Sequence, residues 1–208
     1  EIRTPLNSIV GFSDLIMNED IDEEMRREFP AEIQKSTLLL TGLVNSMLEV
    51  ANLDVSEDKL PCGPTDIRNI CIQEMEKISP KPRIKYQLDI TEDTLFIPTN
   101  AQYLTMVIEH LLNNANKFTE EGFIALGYKV NLSKNQICIS VTDSGCGIPK
   151  EKQEEVFNRF SKLDTFVPGN GLGLYLCRLI VKRLDGEIKI DPEYTDGTRV
   201  VVNLPMNE

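Results

Sequence analysis

The 208-residue chain is poor in several features that would narrow its class at once. Its longest uninterrupted apolar runs are four residues, Phe123 to Leu126 and Leu174 to Cys177, so nothing in it reads as crossing a bilayer. It has a single histidine, His110, and its five cysteines (Cys62, Cys71, Cys138, Cys146 and Cys177) form no C-x-x-C pair. That disfavours structural zinc and fits reduced thiols better than a disulfide framework. Basic residues are scarce: 22 Lys and Arg stand against 33 Asp and Glu, a net charge of −11. A chain so acidic is a poor candidate for sequence-independent nucleic-acid binding, which needs clustered cations against the phosphates. No basic segment followed by an apolar stretch opens the chain, so no signal peptide is read there. It also lacks an initiating Met and opens inside what reads as a helix, as a fragment of a longer protein would. The balance of 41% hydrophobic and 26% charged residues is that of a soluble globular protein of one or two domains.

Charge and periodicity change together along the chain. Residues 1–62 carry 13 acidic and 5 basic side chains, residues 63–208 carry 20 and 17. In the first part Ile2, Leu6, Ile9 and Ile16, then Ile33, Leu40, Leu43, Met47 and Val50, recur at helical intervals. The spacing predicts an antiparallel helical hairpin, about 1–18 and 23–55, with an acidic tip from Asn18 to Glu24. Two helices alone bury little, so a dimeric four-helix bundle is the economical arrangement. Pro30 is expected near the first turn of the second helix, or to kink it. Val55 to Pro64 reads as a linker. Beyond it, helices are predicted over Asp66–Ile78, Ala101–Phe118 (with Asn100 as N-cap) and Leu172–Leu184. Strands are predicted over Arg83–Ile90, Phe123–Val130, Gln136–Thr142, Glu187–Ile190 and Thr198–Leu204. Residues 145–170 read as a long loop with a short helical piece. The mixture implies an α+β fold, one sheet layer covered by helices. The domains are then 1–62 and 63–208.

Three motifs could carry chemistry. Asp143-Ser144-Gly145-Cys146-Gly147 closes a strand; its glycines let backbone approach a ligand, and its carboxylate could accept from an exocyclic amine. Taken alone, a tight turn with a capping Asp is the better reading. Gly169-Asn170-Gly171-Leu172-Gly173-Leu174 opens a helix and exposes amides to an anion, without the signature of a dinucleotide fold or a P-loop. A flexible hinge is the alternative. Glu109-His110-Leu111-Leu112-Asn113-Asn114-Ala115-Asn116-Lys117-Phe118 sets three Asn within four positions, an odd choice late in a helix. Carboxamide oxygens suit Mg²⁺, and the alternative is a frayed polar helix end.

The order of these motifs resembles the catalytic and ATP-binding domain of sensor histidine kinases, whose fold is shared with gyrase, HSP90 chaperones and MutL (the Bergerat fold). Glu1-Ile2-Arg3-Thr4-Pro5-Leu6-Asn7-Ser8-Ile9 is similar to the segment following the phospho-accepting His of these kinases, so the resemblance spans essentially the whole chain. It implies that Asn114 coordinates Mg²⁺ and Lys117 contacts ATP phosphates, with Phe118 beside them. Asp143 would read adenine, with Gly145 and Gly147 shaping that wall. Phe157 and Phe160 would anchor a lid over the nucleotide. Gly169, Gly171, Leu172, Gly173 and Leu174 would line the triphosphate, and Thr198 would support the adenine contact. Glu1 and Thr4, with His110, are the candidate catalytic residues. Glu1 would act as a base beside the acceptor, and Thr4 would orient water in dephosphorylation of a partner. Pro5 would bend the helix below the acceptor.

The resemblance thus implies ATP-dependent phosphorylation of a His just ahead of residue 1, transfer to a response-regulator receiver domain, phosphatase activity, a homodimer through the hairpin and a cytoplasmic location. It differs at two points. The acceptor His is not among these residues, and His110 stands where such kinases carry another Asn. A contact of that imidazole with Mg²⁺, water or phosphate, and a hydrogen-bonded place at the pocket rim, both stay open. A degenerate, non-catalytic nucleotide-binding module that dimerises and relays a signal is the competing reading, and an ATPase of the gyrase or chaperone kind the third.

Overall fold

A computed structural model describes residues 2–17, 22–55, 60–91, 93–163 and 171–206. The first two elements are helices, α1 (Arg3–Ile16) and α2 (Glu23–Val55), which pack along one another and stack Phe12 on Phe29, ring centroids 5.2 Å apart. This is the expected hairpin. Pro30 is the eighth residue of α2, beyond its first turn, with helix on both sides. No residue of α1 is buried within the chain, and Ile2, Leu6 and Val10 are 43, 45 and 51% exposed. Of the apolar stripe seen in the sequence, Ile2 and Leu6 are therefore left exposed by this polypeptide, whereas Ile9 and Ile16 are half-buried and Leu43 and Val50 buried.

The remainder is an α+β sandwich. Strands β2 (Ile84–Asp89), β4 (Gly122–Asn131), β5 (Gln136–Asp143), β6 (Glu187–Ile190) and β7 (Thr198–Pro205) form a mixed sheet of order β2-β4-β5-β7-β6. Only the β2–β4 pair is parallel. One face carries Ile124, Leu126, Ile137, Ile139, Val141, Val200, Val202 and Leu204, all buried at alternate positions. Helices α3 (Ile67–Lys77), α4 (Ala101–Phe118) and α5 (Gly173–Arg183) cover that face. The predicted Asn100 cap forms, accepting from the Tyr103 amide at 3.1 Å; Asp66, expected as the first residue of its helix, instead caps α3 by accepting from the Asn69 amide at 3.0 Å. From α4, Leu104, Val107, Ile108, Leu111, Leu112 and Ala115 point into the core. This leaves the opposite face, His110, Asn113, Asn114 and Lys117, for other work.

Two elements correct the sequence expectation. Gly63 and Pro64, expected as the end of the linker, and Asp66, expected as helix, lie in strand β1 (Gly63–Asp66), which pairs antiparallel with β3 (Phe96–Thr99), a strand not expected at all. Each is four residues long and contains a proline, Pro64 or Pro98, tolerated because the two strands form a separate two-stranded ribbon with free edges. The hairpin is also tied to the sandwich. Val50 and Leu53, at the end of α2, belong to the same buried cluster as the sheet, and the Arg183 guanidinium donates to the Leu53 carbonyl at 3.1 Å. Among the described residues, no helix is long and apolar enough to cross a membrane.

Candidate functional site

Asp143 ends β5, where antiparallel pairing sets it opposite Thr198 at the start of β7. Its Oδ1 accepts from the amides of Gly145 at 2.9 Å and Thr198 at 3.2 Å, and no described group bonds Oδ2. The residue is 7% exposed. Burial pushes its carboxyl above the usual carboxylate range, with the two amides pulling the other way. Two glycines make this geometry possible. A β-carbon on Gly145 would stand 2.4 Å from the Phe118 carbonyl oxygen, and one on Gly197 (φ +143°) 2.1 Å from the Asp143 carbonyl oxygen. Gly147 adjoins the Gly197 carbonyl. Asp143-x-Gly is thus a turn with a capping Asp, as the plain reading had it, and its carboxylate is held in place by two backbone amides.

Along the open face of α4 the polar residues divide. Asn116 is spent structurally: its Oδ1 accepts from the Tyr86 hydroxyl at 2.8 Å and its Nδ2 donates to the Ser79 carbonyl at 3.2 Å. Asn114 is half-buried and its side chain makes no hydrogen bond among the described residues, leaving its carboxamide for a ligand or cation. His110, one turn earlier, points its Nδ1 at Gly173, 3.7 Å from where a β-carbon would be. Burial lowers its pKa against the opposing pull of Glu109, so the ring is neutral at pH 7. The Lys117 ammonium stands 4.7 Å from the centroid of the 40%-exposed Phe118 ring. Its pKa is lowered first by burial and then by Lys162. Lys162 is a residue that the sequence reading missed. The signal is a second cation two positions beyond Phe160, in a loop whose glycines and phenylalanines draw the attention.

At the start of α5, Gly171 (φ +65°) lies against the Phe160 backbone, 2.7 Å from its carbonyl carbon if a β-carbon were added. Leu172 is 2% exposed and half-buried Leu174 packs on the core, so these two shape the turn from behind. Gly173 begins the helix, whose first amides and positive dipole end face the same side as His110. Phe157 is 1% exposed beneath the Arg178 guanidinium, 5.1 Å from its ring centroid. Phe160 differs: it is 44% exposed with φ +60°. It lines a groove of about 570 Å³ with Ile2, Arg3, Thr4 and Met47, between the loop that follows β5 and the start of α1. Glu1 and Gly169 lie outside the described residues. Among the described residues no cluster of three His, Cys, Asp or Glu side chains offers a conventional metal site. A hard cation would instead be shared between the Asn114 carboxamide and ligand oxygens, the donor set that Mg²⁺ accepts with phosphates.

Comparison with known proteins gives the family. Residues 99–208 match the family described as Histidine kinase-, DNA gyrase B-, and HSP90-like ATPase, and residues 1–55 match the His Kinase A (phospho-acceptor) domain. The sensor protein EvgS of Escherichia coli is 29% identical over 99% of this chain, which covers 18% of that protein. TcrY of Mycobacterium tuberculosis, named a probable sensor histidine kinase, is 31% identical over the whole chain, which covers 44% of it. The chain therefore spans less than half the length of these relatives. The crystal structure of full-length ShkA in complex with AMPPNP superimposes with a TM-score of 0.74 at 27% identity, over 98% of this chain and 43% of that one. With its ATPase family matched over more than half its length and a phospho-acceptor segment ahead of it, the chain belongs to the histidine kinase-, DNA gyrase B- and HSP90-like ATPases, as part of a sensor histidine kinase.

Proposed function

We propose that residues 63–208 bind ATP between α4 and the start of α5. We further propose that the γ-phosphoryl group passes to a histidine on the helix that α1 continues, ahead of Glu1. The observation that carries this reading is Asp143: a buried carboxylate with one oxygen fixed by two backbone amides and the other free to accept from the amine of adenine. Lys117, Lys162 and the amides at Gly173 face the phosphates. Asn114 would hold Mg²⁺, which would neutralise charge on the phosphoryl oxygens. Phosphoryl transfer rests mostly on positioning and charge neutralisation, so these groups suffice without a covalent intermediate on the ATP domain. His110, neutral and beside Gly173, orients water or a phosphate oxygen.

The acceptor side is the hairpin. Its uncovered stripe of Ile2, Leu6 and Val10 pairs with a second copy to complete a four-helix bundle. The phosphoryl group then moves to an Asp of a response-regulator receiver domain docked near α1, and Thr4 orients water in the reverse, phosphatase direction. With ATP as the donor, the reading takes the cytoplasm as the site of action.

Calorimetric titration with ATP and Mg²⁺ tests the site. Asp143→Ala and Asn114→Ala are each expected to weaken binding roughly tenfold to a hundredfold, the worth of a hydrogen bond involving a charged group. Wild-type affinity in both variants overturns the site assignment. A longer chain that includes the acceptor, binds ATP and still transfers no phosphoryl group overturns the kinase reading in favour of a non-catalytic module.

A further inference from the structure

The C-terminal end of α4 carries Asn114, Lys117 and Phe118, and it is held by the loop between α3 and β2. The Lys81 ammonium donates to two carbonyls that α4 leaves without helical partners, a short contact to Asn116 and one of 2.9 Å to Thr119. The Tyr86 hydroxyl accepts from the Lys81 amide at 3.0 Å and donates to the Asn116 side chain. Asn116 in turn donates to Ser79, closing a ring of hydrogen bonds around the helix end. A cation at this end of a helix is stabilising through the dipole, and more so when partly buried, as Lys81 is.

The opposite side of the same helix end meets the base-reading turn. Gly145 packs on the Phe118 carbonyl, and its amide donates to Asp143 Oδ1. A continuous set of contacts therefore runs from Lys81 through the end of α4 and Gly145 to Asp143. Gly145 has no side chain to yield, so a shift of the helix end must move Gly145 or tilt the carboxylate.

Resting on the ATP-binding reading, we infer that Lys81 is a positioning residue for base recognition: by capping α4 it sets the spacing between the Asp143 carboxylate and the Asn114–Lys117 face. It touches neither ligand nor reacting atoms. A lysine suits the task because a compact ammonium with three donors can serve two carbonyls from a flexible stem.

The test measures ATP and GTP dissociation constants of the whole chain for wild type, Lys81→Met, Lys81→Arg and Tyr86→Phe, with thermal melting alongside. Lys81→Met is expected to weaken ATP about fivefold and GTP little, lowering the ATP:GTP preference by the same factor, while Lys81→Arg recovers it to within about twofold. Tyr86→Phe moves the preference in the same direction by less, and it carries the test if Lys81→Met fails to fold. An unchanged ATP:GTP preference in Lys81→Met, or in Tyr86→Phe if only that variant folds, overturns the inference, whether or not the melting temperature falls. Failure of the wild-type chain to bind ATP overturns the ATP-binding reading itself.

Discussion

Asp143 is ionisable in a place where folding disfavours its charge. Burial raises its pKa above the ordinary 3.8, so the folded state holds a proton more readily than the unfolded chain. Between 3.8 and the raised value, stability from this group therefore falls as pH rises. Asp143→Asn keeps an acceptor for the Gly145 and Thr198 amides but removes the buried charge. Its melting temperature without nucleotide is expected at or above wild type at pH 7, the difference shrinking toward pH 4, while ATP affinity falls about tenfold or more. Loss of stability at pH 7 with affinity retained would contradict this. His110 has the opposite sign. Its folded pKa lies below 6.5, so its contribution is complete above that pH and lost as pH falls through the window beneath it. Because it is the only histidine, one imidazole resonance reports its titration directly, and His110→Asn should flatten the decline in stability below pH 6.5. Thr119 at the end of α4 makes a third case, since its hydroxyl is buried without a partner. Thr119→Val is expected to melt no lower than wild type, because an apolar group of the same shape removes an unmet donor.

At the scale of elements, α4 was legible in full because three independent signals agreed: an Asn N-cap, a helical apolar period and a polar terminus. β1 and β3 were not, since four residues with a proline give no alternation to count and their pairing is a tertiary fact. The site divides in the same way. Asp143, Asn114 and the α5 glycines announce themselves by residue type in an unusual place. Lys162, Lys81 and the structural use of Asn116 depend on which loop returns to which helix end, which spacing along the chain does not encode. The end of α2 is expected as helix of the hairpin, with Val50 on its apolar stripe, yet Val50 and Leu53, the latter 4% exposed, share the sandwich core. Leu53→Ala is expected to lower the unfolding free energy of the whole chain by about 2–4 kcal/mol in one cooperative transition. A separate early transition of the helices, with the sandwich unaffected, would show that this packing carries no energy.

Across the whole molecule the charge is uneven, with most of the −11 in residues 1–62. Pairing two hairpins brings two such acidic bodies together, and the repulsion between exposed charges is screened beyond about 10 Å at 0.1 M salt. The dimer dissociation constant measured by sedimentation is therefore expected to tighten as salt rises from low concentration to about 0.3 M. A constant that weakens with salt would point to an interface made by ion pairs instead. The ATP domain, nearly balanced in charge, keeps its anion site clear of that field. The anchoring of Val50 and Leu53 in the sandwich also has a bearing on how the protein can be dissected. Cutting the chain at residue 62, where the charge changes, would bare an apolar socket and take from Arg183 the Leu53 carbonyl that it holds. Excised catalytic domains that begin after residue 62 would then be sticky and prone to self-association, and a fragment starting ahead of Val50 would be the well-behaved one.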